Sequence, residues 1–242
     1  MADEQIGPMF DPLRSLALCT IRPEPLGGTA GWRKTRLHRA RWLVPPGNLL
    51  LRLLGAGCQV CGRDWVHYET NTFRRAHPEF PPPQVLSASE IWLPHLPGQP
   101  VAGLSPKLQS LARTAAFREL GRIHRLGVGH GDAHRRNLLY DSATGRCRII
   151  DFETRFATLD VRAQALDAAI MALDFFRADI PRHDGDAEVD LDFIAALENP
   201  AIETRVRQLL RYPGHGLYWY WRLLGYRSPN AERSLLAGSR SA

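Results

Sequence analysis

Apolar positions along the chain recur at two spacings, helical and alternating. From Asp64, Trp65, Tyr68, Glu69 and Phe73 fall at helical intervals, Asp64 is placed to cap the first turn, and the helix must end before Pro78. A second helix opens at Ser105-Pro106 and carries Leu108, Leu111, Ala115, Leu120, Ile123 and His124 on one face before Gly127 stops it. Val161 to Phe176 is apolar enough for a third, and Phe193 to Tyr212 predicts a further helix or a pair. Pro81 to Leu86 and Glu90 to Pro94 read as two short strands, or a strand and a linker, before the turn Pro97-Gly98. Cys147 to Ile150 reads as a strand, joined to Val128–Tyr140 by the tight turn Ser142 to Gly145.

The first third is less regular. Residues 1 to 31 are rich in Pro and Gly and end in Pro25 to Gly31, a loop or hairpin turn. Trp32 to Val44 predicts a strand leading into a basic helix, which Pro45-Pro46-Gly47-Asn48 is expected to interrupt before the apolar run Leu49 to Leu54. The pattern is that of an α+β protein with a small mixed part followed by a larger helical one, without internal repeats.

Composition narrows the class. The chain has 242 residues, 44% hydrophobic and 23% charged, which supports one domain or two lobes around a cleft and excludes disordered, collagenous and coiled-coil classes. No apolar run reaches the roughly 18 residues of a membrane span, and the acidic start does not resemble a signal peptide, so a cytoplasmic location is expected. Cys19, Cys58, Cys61 and Cys147 are too few and scattered to scaffold the chain. Cys58 and Cys61 have zinc-knuckle or redox spacing but no second Cys pair to complete a metal site, with His67 and His77 the only nearby candidates, so buried thiols are expected.

The net charge is +6, and basic residues concentrate in Arg33 to Arg41. No stripe alternates aromatic and basic residues, so no nucleic-acid partner is expected; the run reads as a solvated face or as a contact with an anionic membrane surface. The cluster Leu217-Tyr218-Trp219-Tyr220-Trp221-Arg222 reads as a core helix face or, with that run, as an interfacial anchor that would make the protein peripheral at an inner membrane. Twenty-nine of the 31 basic residues are arginine; lysine occurs only at Lys34 and Lys107, so lysine is expected where a compact ammonium is needed.

The chemistry concentrates in Gly129-His130-Gly131-Asp132-Ala133-His134-Arg135-Arg136-Asn137-Leu138-Leu139-Tyr140, followed after a turn by Ile149-Ile150-Asp151-Phe152-Glu153. Phosphoryl transfer needs an acid beside the attacking hydroxyl and hard oxygen ligands for magnesium. In that reading Asp132 takes the acceptor's proton, while Asn137 and Asp151 hold Mg2+ against the phosphates of ATP. His134 orients the acceptor or a phosphate; His130 holds the loop through backbone hydrogen bonds; Asp167 receives backbone donors from the same loop. An alternative takes His130, Asp132 and His134, with His124, as the metal cluster of a hydrolase.

At these residues the chain resembles the protein-kinase-like superfamily, whose catalytic loop is H-R-D-x-x-x-x-N and whose metal motif is D-F-G. Here they read HGDAHRRN and DFE. Gly131 after the first His and His134 after the Asp are similar to the small-molecule and bacterial branch: aminoglycoside and choline phosphotransferases and the lipopolysaccharide core kinases of the Kdo and heptose type. The resemblance is specific from about Leu120 to Glu153. It implies a bilobal fold, with a β-rich N-lobe with one helix over residues 1–98 and a mostly helical C-lobe over 99–242. It implies a phosphate-binding lysine on the third strand, Lys34, paired with Glu69 on the following helix; Arg52 is the alternative, because Gly27 to Gly31 lie close before Lys34. Trp92-Leu93-Pro94 resembles the hinge where adenine stacks, which makes Trp92 and Pro94 nucleotide contacts. Only 15 residues separate Asp151 from Asp167, too few for a long activation segment. The implied activity is transfer of the γ-phosphate of ATP to a hydroxyl acceptor, a sugar or lipopolysaccharide-type saccharide. The alternatives are a bacterial serine/threonine protein kinase and a catalytically weak scaffold.

Overall fold

A computed structural model describes residues 18–179 and 192–211 of the chain. The cluster Leu217 to Arg222 and Tyr212 lie outside the described residues, as does the first part of the Pro- and Gly-rich N-terminus. The protein is α+β: small antiparallel sheets with helices packed on and after them. The strands β1 (Cys19–Pro23), β2 (Gly31–Arg36), β4 (Gln84–Ser87) and β5 (Glu90–Pro94) form one sheet in the order β1-β2-β5-β4. Between β2 and β4 run the helix α1 (Ala40–Leu53), the short strand β3 (Cys58–Val60) and the helix α2 (Trp65–Ala76).

The remaining elements are β6 (Gln99–Pro100), α3 (Pro106–Arg125), β7 (Leu138–Asp141), β8 (Arg146–Ile149), β9 (Thr154–Phe156), α4 (Val161–Asp179) and α5 (Pro200–Arg211). A 3-10 turn, Asp192–Leu197, precedes α5, so the stretch expected as a helix or a pair is a turn and a helix. β6, β7 and β8 form a second sheet, and β3 pairs with β9 across a long separation in sequence. The β7–β8 hairpin closes as its turn residues require. Asp141 accepts hydrogen bonds from the Ala143 amide at 3.1 Å and the Thr144 hydroxyl at 2.8 Å, and Gly145 takes a positive φ of 66°.

The main core is built by α3, α4, β8 and the 3-10 turn. Phe117, Leu120 and Ile123 of α3 and Ile149 of β8 are fully buried, each burial stabilising by about 1.5–3 kcal/mol. α4 is buried on several sides: Ala165, Ala168, Ala169 and Ala172 form a stripe of small residues, and Leu166, Ile170, Met171, Leu173, Phe175 and the fully buried Asp167 lie on the rest of the helix. Gly121 is where α3 meets the 3-10 turn: a β-carbon there would lie 2.5 Å from the Leu197 carbonyl oxygen.

Three expectations change. The prolines do not interrupt the basic helix: α1 runs unbroken through Pro45 and Pro46 to Leu53. Both are exposed, and the helix is fastened by Asn48, whose amide accepts from the Val60 N–H at 2.8 Å and donates to its carbonyl at 2.9 Å. That tertiary clamp offsets the two missing ladder bonds. Consequently the part before residue 98 carries two helices, not one. The run Arg33 to Arg41 is also not a continuous solvated face. Lys34 is buried, Arg33 is held by Glu24 and Glu90, and Arg36 donates to the Cys61 and Gly62 carbonyls, leaving the exposed cations to Arg39 and Arg41.

Candidate functional site

The site is assembled where β2, α2, the 130–137 loop and the stretch after β8 converge. The loop is anchored from below by Asp167 of α4, which is fully buried and accepts the backbone N–H groups of His130 at 2.7 Å and Gly131 at 2.8 Å, and the His124 Nε2–H at 3.1 Å. Burial opposes ionisation of Asp167, but the His124 hydrogen bond, the neighbouring imidazoles and the His130 amide outweigh it and hold the carboxyl below its usual range. His130 ties the loop to the next strand. Its Nε2 lies 2.8 Å from the Ile150 carbonyl, while Nδ1 lies 3.2 Å from the Asp132 amide nitrogen, so both ring nitrogens are engaged. Gly131 has φ 73°, and a β-carbon would sit 2.5 Å from Thr154 Cγ2, so the loop passes where only glycine fits.

Asp132 is held by three donors. His134 Nε2 lies 2.8 Å from Oδ1, and Asn137 Nδ2 and Arg136 lie 3.0 and 3.2 Å from Oδ2. Burial would raise this carboxyl, but the His134 hydrogen bond and the charges of His134 and Arg136 win and push it well down. His134 responds in the opposite sense. Burial disfavours its cation, but hydrogen bonds to Asp132 and Asp174 raise it from 6.5 to about 9. Asp174 of α4 also accepts the Arg135 amide at 2.6 Å, so it positions the loop and the imidazole together. Asn137 uses its amide nitrogen on Asp132, which leaves Oδ1 with no protein partner among the described residues. Its carbonyl accepts the Ile150 N–H at 2.9 Å, which brings Asn137 beside Asp151.

Asp151 has φ 72°, a left-handed conformation costly for a residue with a β-carbon and concentrated at functional sites. Phe152 beside it is fully buried against His130, with ring centroids 5.3 Å apart, so Asp151 and Glu153 emerge on the same side. Both reach Lys34. The Lys34 ammonium, 1% exposed, lies 2.8 Å from either oxygen of Glu69, 2.7 Å from Glu153 and in hydrogen-bond contact with Asp151. Burial opposes the charge of Lys34, yet the surrounding carboxylates raise it well above its usual value. Burial pushes Glu69 up to about 8 against the pull of Lys34, with Asp151 and Glu153 adding to the rise.

One ammonium sits among three carboxyl groups, and the ligand oxygens of Glu69, Asp151 and Glu153 lie within 4.8 Å of one another. This hard oxygen set fits Mg2+. The histidines do not form a metal set: His130 and His124 are engaged as described, and the acidic trio is the only metal-competent group among the described residues. Cys58 and Cys61 are buried free thiols, each pushed up to about 12 chiefly by burial.

Lys34, Glu69, Asp132, His134, Asn137 and Asp151 therefore come together. Trp92 and Pro94 do not. Strand alternation puts both on the face of β5 opposite Ile91, which pairs with Lys34. Trp92 is 2% exposed, donates its Nε1–H to the Glu24 carbonyl at 2.7 Å and packs on Gly31, so it is a core residue under the β1–β2 hairpin, turned away from Lys34. On Lys34's side, Trp65 of α2 lies 5.8 Å from the ammonium but is buried, and the exposed aromatic residue is Trp32, 38% exposed, with His95 at 6.2 Å. Arg52, at the far end of α1, is not among the partners of Glu69. Glu153 and Asp174 were not singled out from sequence. The order Asp-Phe-Glu with an apolar centre was the available signal for Glu153; nothing local marks Asp174.

Comparison of the chain with protein-family models finds no match, and comparison with curated protein sequences finds none.

Proposed function

We propose that the protein is an ATP-dependent phosphotransferase of bilobal, protein-kinase-like architecture that phosphorylates a hydroxyl group of a sugar or saccharide. The observation that carries this reading is the convergence of buried Lys34 with Glu69, Asp151 and Glu153, next to the Asp132–Asn137 pair. The four-stranded sheet before residue 98 and the helices α3 to α5 after it support the division into lobes 1–98 and 99–242.

Asp151 and Asn137, with the neighbouring acids, would hold Mg2+, which would supply neutralisation of phosphate charge. Lys34 is placed to bind phosphate oxygens, with Glu69 fixing its ammonium. Asp132, oriented by His134 and Asn137, aligns the acceptor hydroxyl. In the transfer the acceptor oxygen bonds to the γ-phosphorus, the bridge between the β- and γ-phosphates breaks with its electron pair leaving on ADP, and the hydroxyl proton passes to Asp132. A carboxylate held so low is a weak base, which suits a loose transition state in which the proton moves late. Trp32, with His95 beside it, replaces Trp92 as the aromatic surface for the nucleobase.

The test is Mg-ATP binding by titration calorimetry with ADP release, on the wild type and on Asp151→Ala and Asp132→Asn. Metal-dependent binding lost in the first variant, and binding without turnover in the second, are expected. A wild type that ignores Mg-ATP sinks the reading; binding without turnover across a sugar panel favours a scaffold.

Contact with an anionic membrane surface is supported by α1. Trp42, Leu49 and Leu53 are 72%, 57% and 76% exposed along one stripe, with Arg39 and Arg41 at its edge. Among the described residues no helix is long and apolar enough to cross a membrane. Flotation with phosphatidylglycerol vesicles should carry the protein up and leave Trp42→Asp behind; equal behaviour of the two removes the idea.

A further inference from the structure

A cavity of about 460 Å³, in the size range of small-molecule pockets, opens beside the 130–137 loop, and its lining includes none of Lys34, Glu69, Asp132, His134, Asn137 and Asp151. One wall is the end of α1 with Arg52 and the link through Gly55 and Gly57; the floor is Cys58 and Gln59 of β3. The opposite wall is the stretch between β9 and α4, with Asp160 and Arg162. The floor abuts the loop: Cys58 Cβ lies 3.5 Å from where a β-carbon on Gly131 would be, and Asp132 follows Gly131. Asp167 and Asp132 add to burial in raising the Cys58 thiol, so the floor is neutral and unreactive.

The rim is cationic. Arg52 and Arg162 are exposed, line the cavity, and have no ion pair or side-chain hydrogen bond among the described residues. Other arginines near the site are engaged: Arg36 on two carbonyls, Arg135 on Asp174, Arg155 on Asp64. Open guanidinium forks at a sugar-sized cavity match carboxylate or phosphate oxygens. Asp160 is oriented by the Ala163 N–H it accepts at 2.8 Å, and with Gln59 it offers partners for hydroxyl groups. At Gly55 and Gly57 a β-carbon would meet nothing within 4 Å, so the backbone there is open to close approach.

We propose that this cavity is the acceptor pocket, and that it takes a sugar-sized acceptor carrying its own carboxylate or phosphate, gripped by Arg52 and Arg162 with the reactive hydroxyl toward Asp132. The proposal rests on the phosphotransferase reading for its reaction, in which that hydroxyl oxygen gains the γ-phosphoryl group, ADP leaves, and Asp132 takes the proton. Free anionic sugars and the sugar of a lipid head group share this chemistry.

The test separates pocket from reaction. Glucose, glucose 6-phosphate and glucuronate are titrated without nucleotide against the full chain, Arg52→Gln/Arg162→Gln and Arg52→Lys/Arg162→Lys, each checked for an unchanged melting curve, with glucuronosyl diacylglycerol in phosphatidylcholine vesicles as a further ligand. Binding of a charged sugar over glucose by at least tenfold, lost in the Gln pair and partly kept in the Lys pair, is expected. Saturation by the free sugar identifies a soluble acceptor; binding of the vesicle-borne sugar alone identifies a lipid-linked one. Equal binding by the Gln pair, or no binding of any charged sugar, overturns the proposal. ADP release then reads the reaction: a raised KM for the charged acceptor with unchanged KM for ATP in the Gln pair supports the acceptor role. Charged-sugar binding without ATP cleavage removes that role and sinks the phosphotransferase reading, while the anion pocket stands.

Discussion

Replacing His134 by Gln tests the electrostatics of the loop without touching Asp132 itself. The imidazole lies 2.8 Å from Asp132 and 3.6 Å from Asp174, and these acids raise it from 6.5 to about 9. A rise of that size corresponds to about 3 kcal/mol favouring the folded, protonated state. Because the folded value lies above the unfolded one, this stabilisation is fully present below the unfolded value of 6.5, mostly kept at neutrality, and lost as pH rises through about 9. Arg136 and His130 also face Asp132, and both survive the substitution. Urea unfolding between pH 6 and pH 10 should therefore show wild-type stability falling by about 3 kcal/mol more than that of His134→Gln, since Glu69, pushed up to about 8, contributes to both. A proton NMR titration of the His134 ring should give a midpoint near 9. A midpoint below 7, or parallel stability profiles for the two proteins, would refute the reasoning.

Other perturbations probe the rest of the site. Lys34→Met leaves Glu69, Asp151 and Glu153 facing one another without their ammonium, which should cost about 3–5 kcal/mol; Mg2+ should then raise the melting temperature of the variant more than that of the wild type, and identical metal responses would argue against a cation site at these acids. Asp167→Asn removes the charge that receives three donors and should lower stability by about 2–3 kcal/mol in urea titrations, with weaker Mg-ATP binding as the loop loosens; a variant as stable as wild type would show that the anchor is dispensable. Gly121→Ala forces a β-carbon against the Leu197 carbonyl and should cost about 1–3 kcal/mol in thermal unfolding, whereas Gly103→Ala, with nothing near, should be close to silent.

The elements most legible in sequence were those with a full period and a clear stop. Helix α3 runs from Pro106 to Arg125, between the Ser105-Pro106 start and Gly127, and α2 begins at Trp65 after Asp64 and ends before Pro78, although Asp64 makes no side-chain cap bond. The spacing from Asp132 to Asn137 and Asp151 was legible because a loop, a strand and a tight turn return the chain to the same point. What escaped depends on partners distant in sequence. The continuity of α1 through Pro45 and Pro46 is secured by Asn48 on Val60, which no local propensity encodes. The orientation of Trp92 follows from its register against Arg33, and a shift of one position would have turned it toward Lys34's side. The clamp by Asp174 arises because α4 passes beneath the loop, 39 residues further along the chain.

The pairing of β3 with β9 has a use as an internal gauge. Val60 and Cys61 are neighbours, yet their amides answer to different parts of the molecule. The Val60 N–H is held by Asn48 of α1, and the Cys61 N–H is held by the Glu153 carbonyl at 2.7 Å, two residues past Asp151. Hydrogen exchange at these adjacent amides therefore listens in two directions: one channel reports the helix that faces outward with Trp42 and Leu53, the other the acidic cluster around Lys34. A ligand in the cleft should quiet the Cys61 amide first and a surface docked on α1 the Val60 amide first, so a single unlabelled stretch of backbone can say from which side the protein has been engaged.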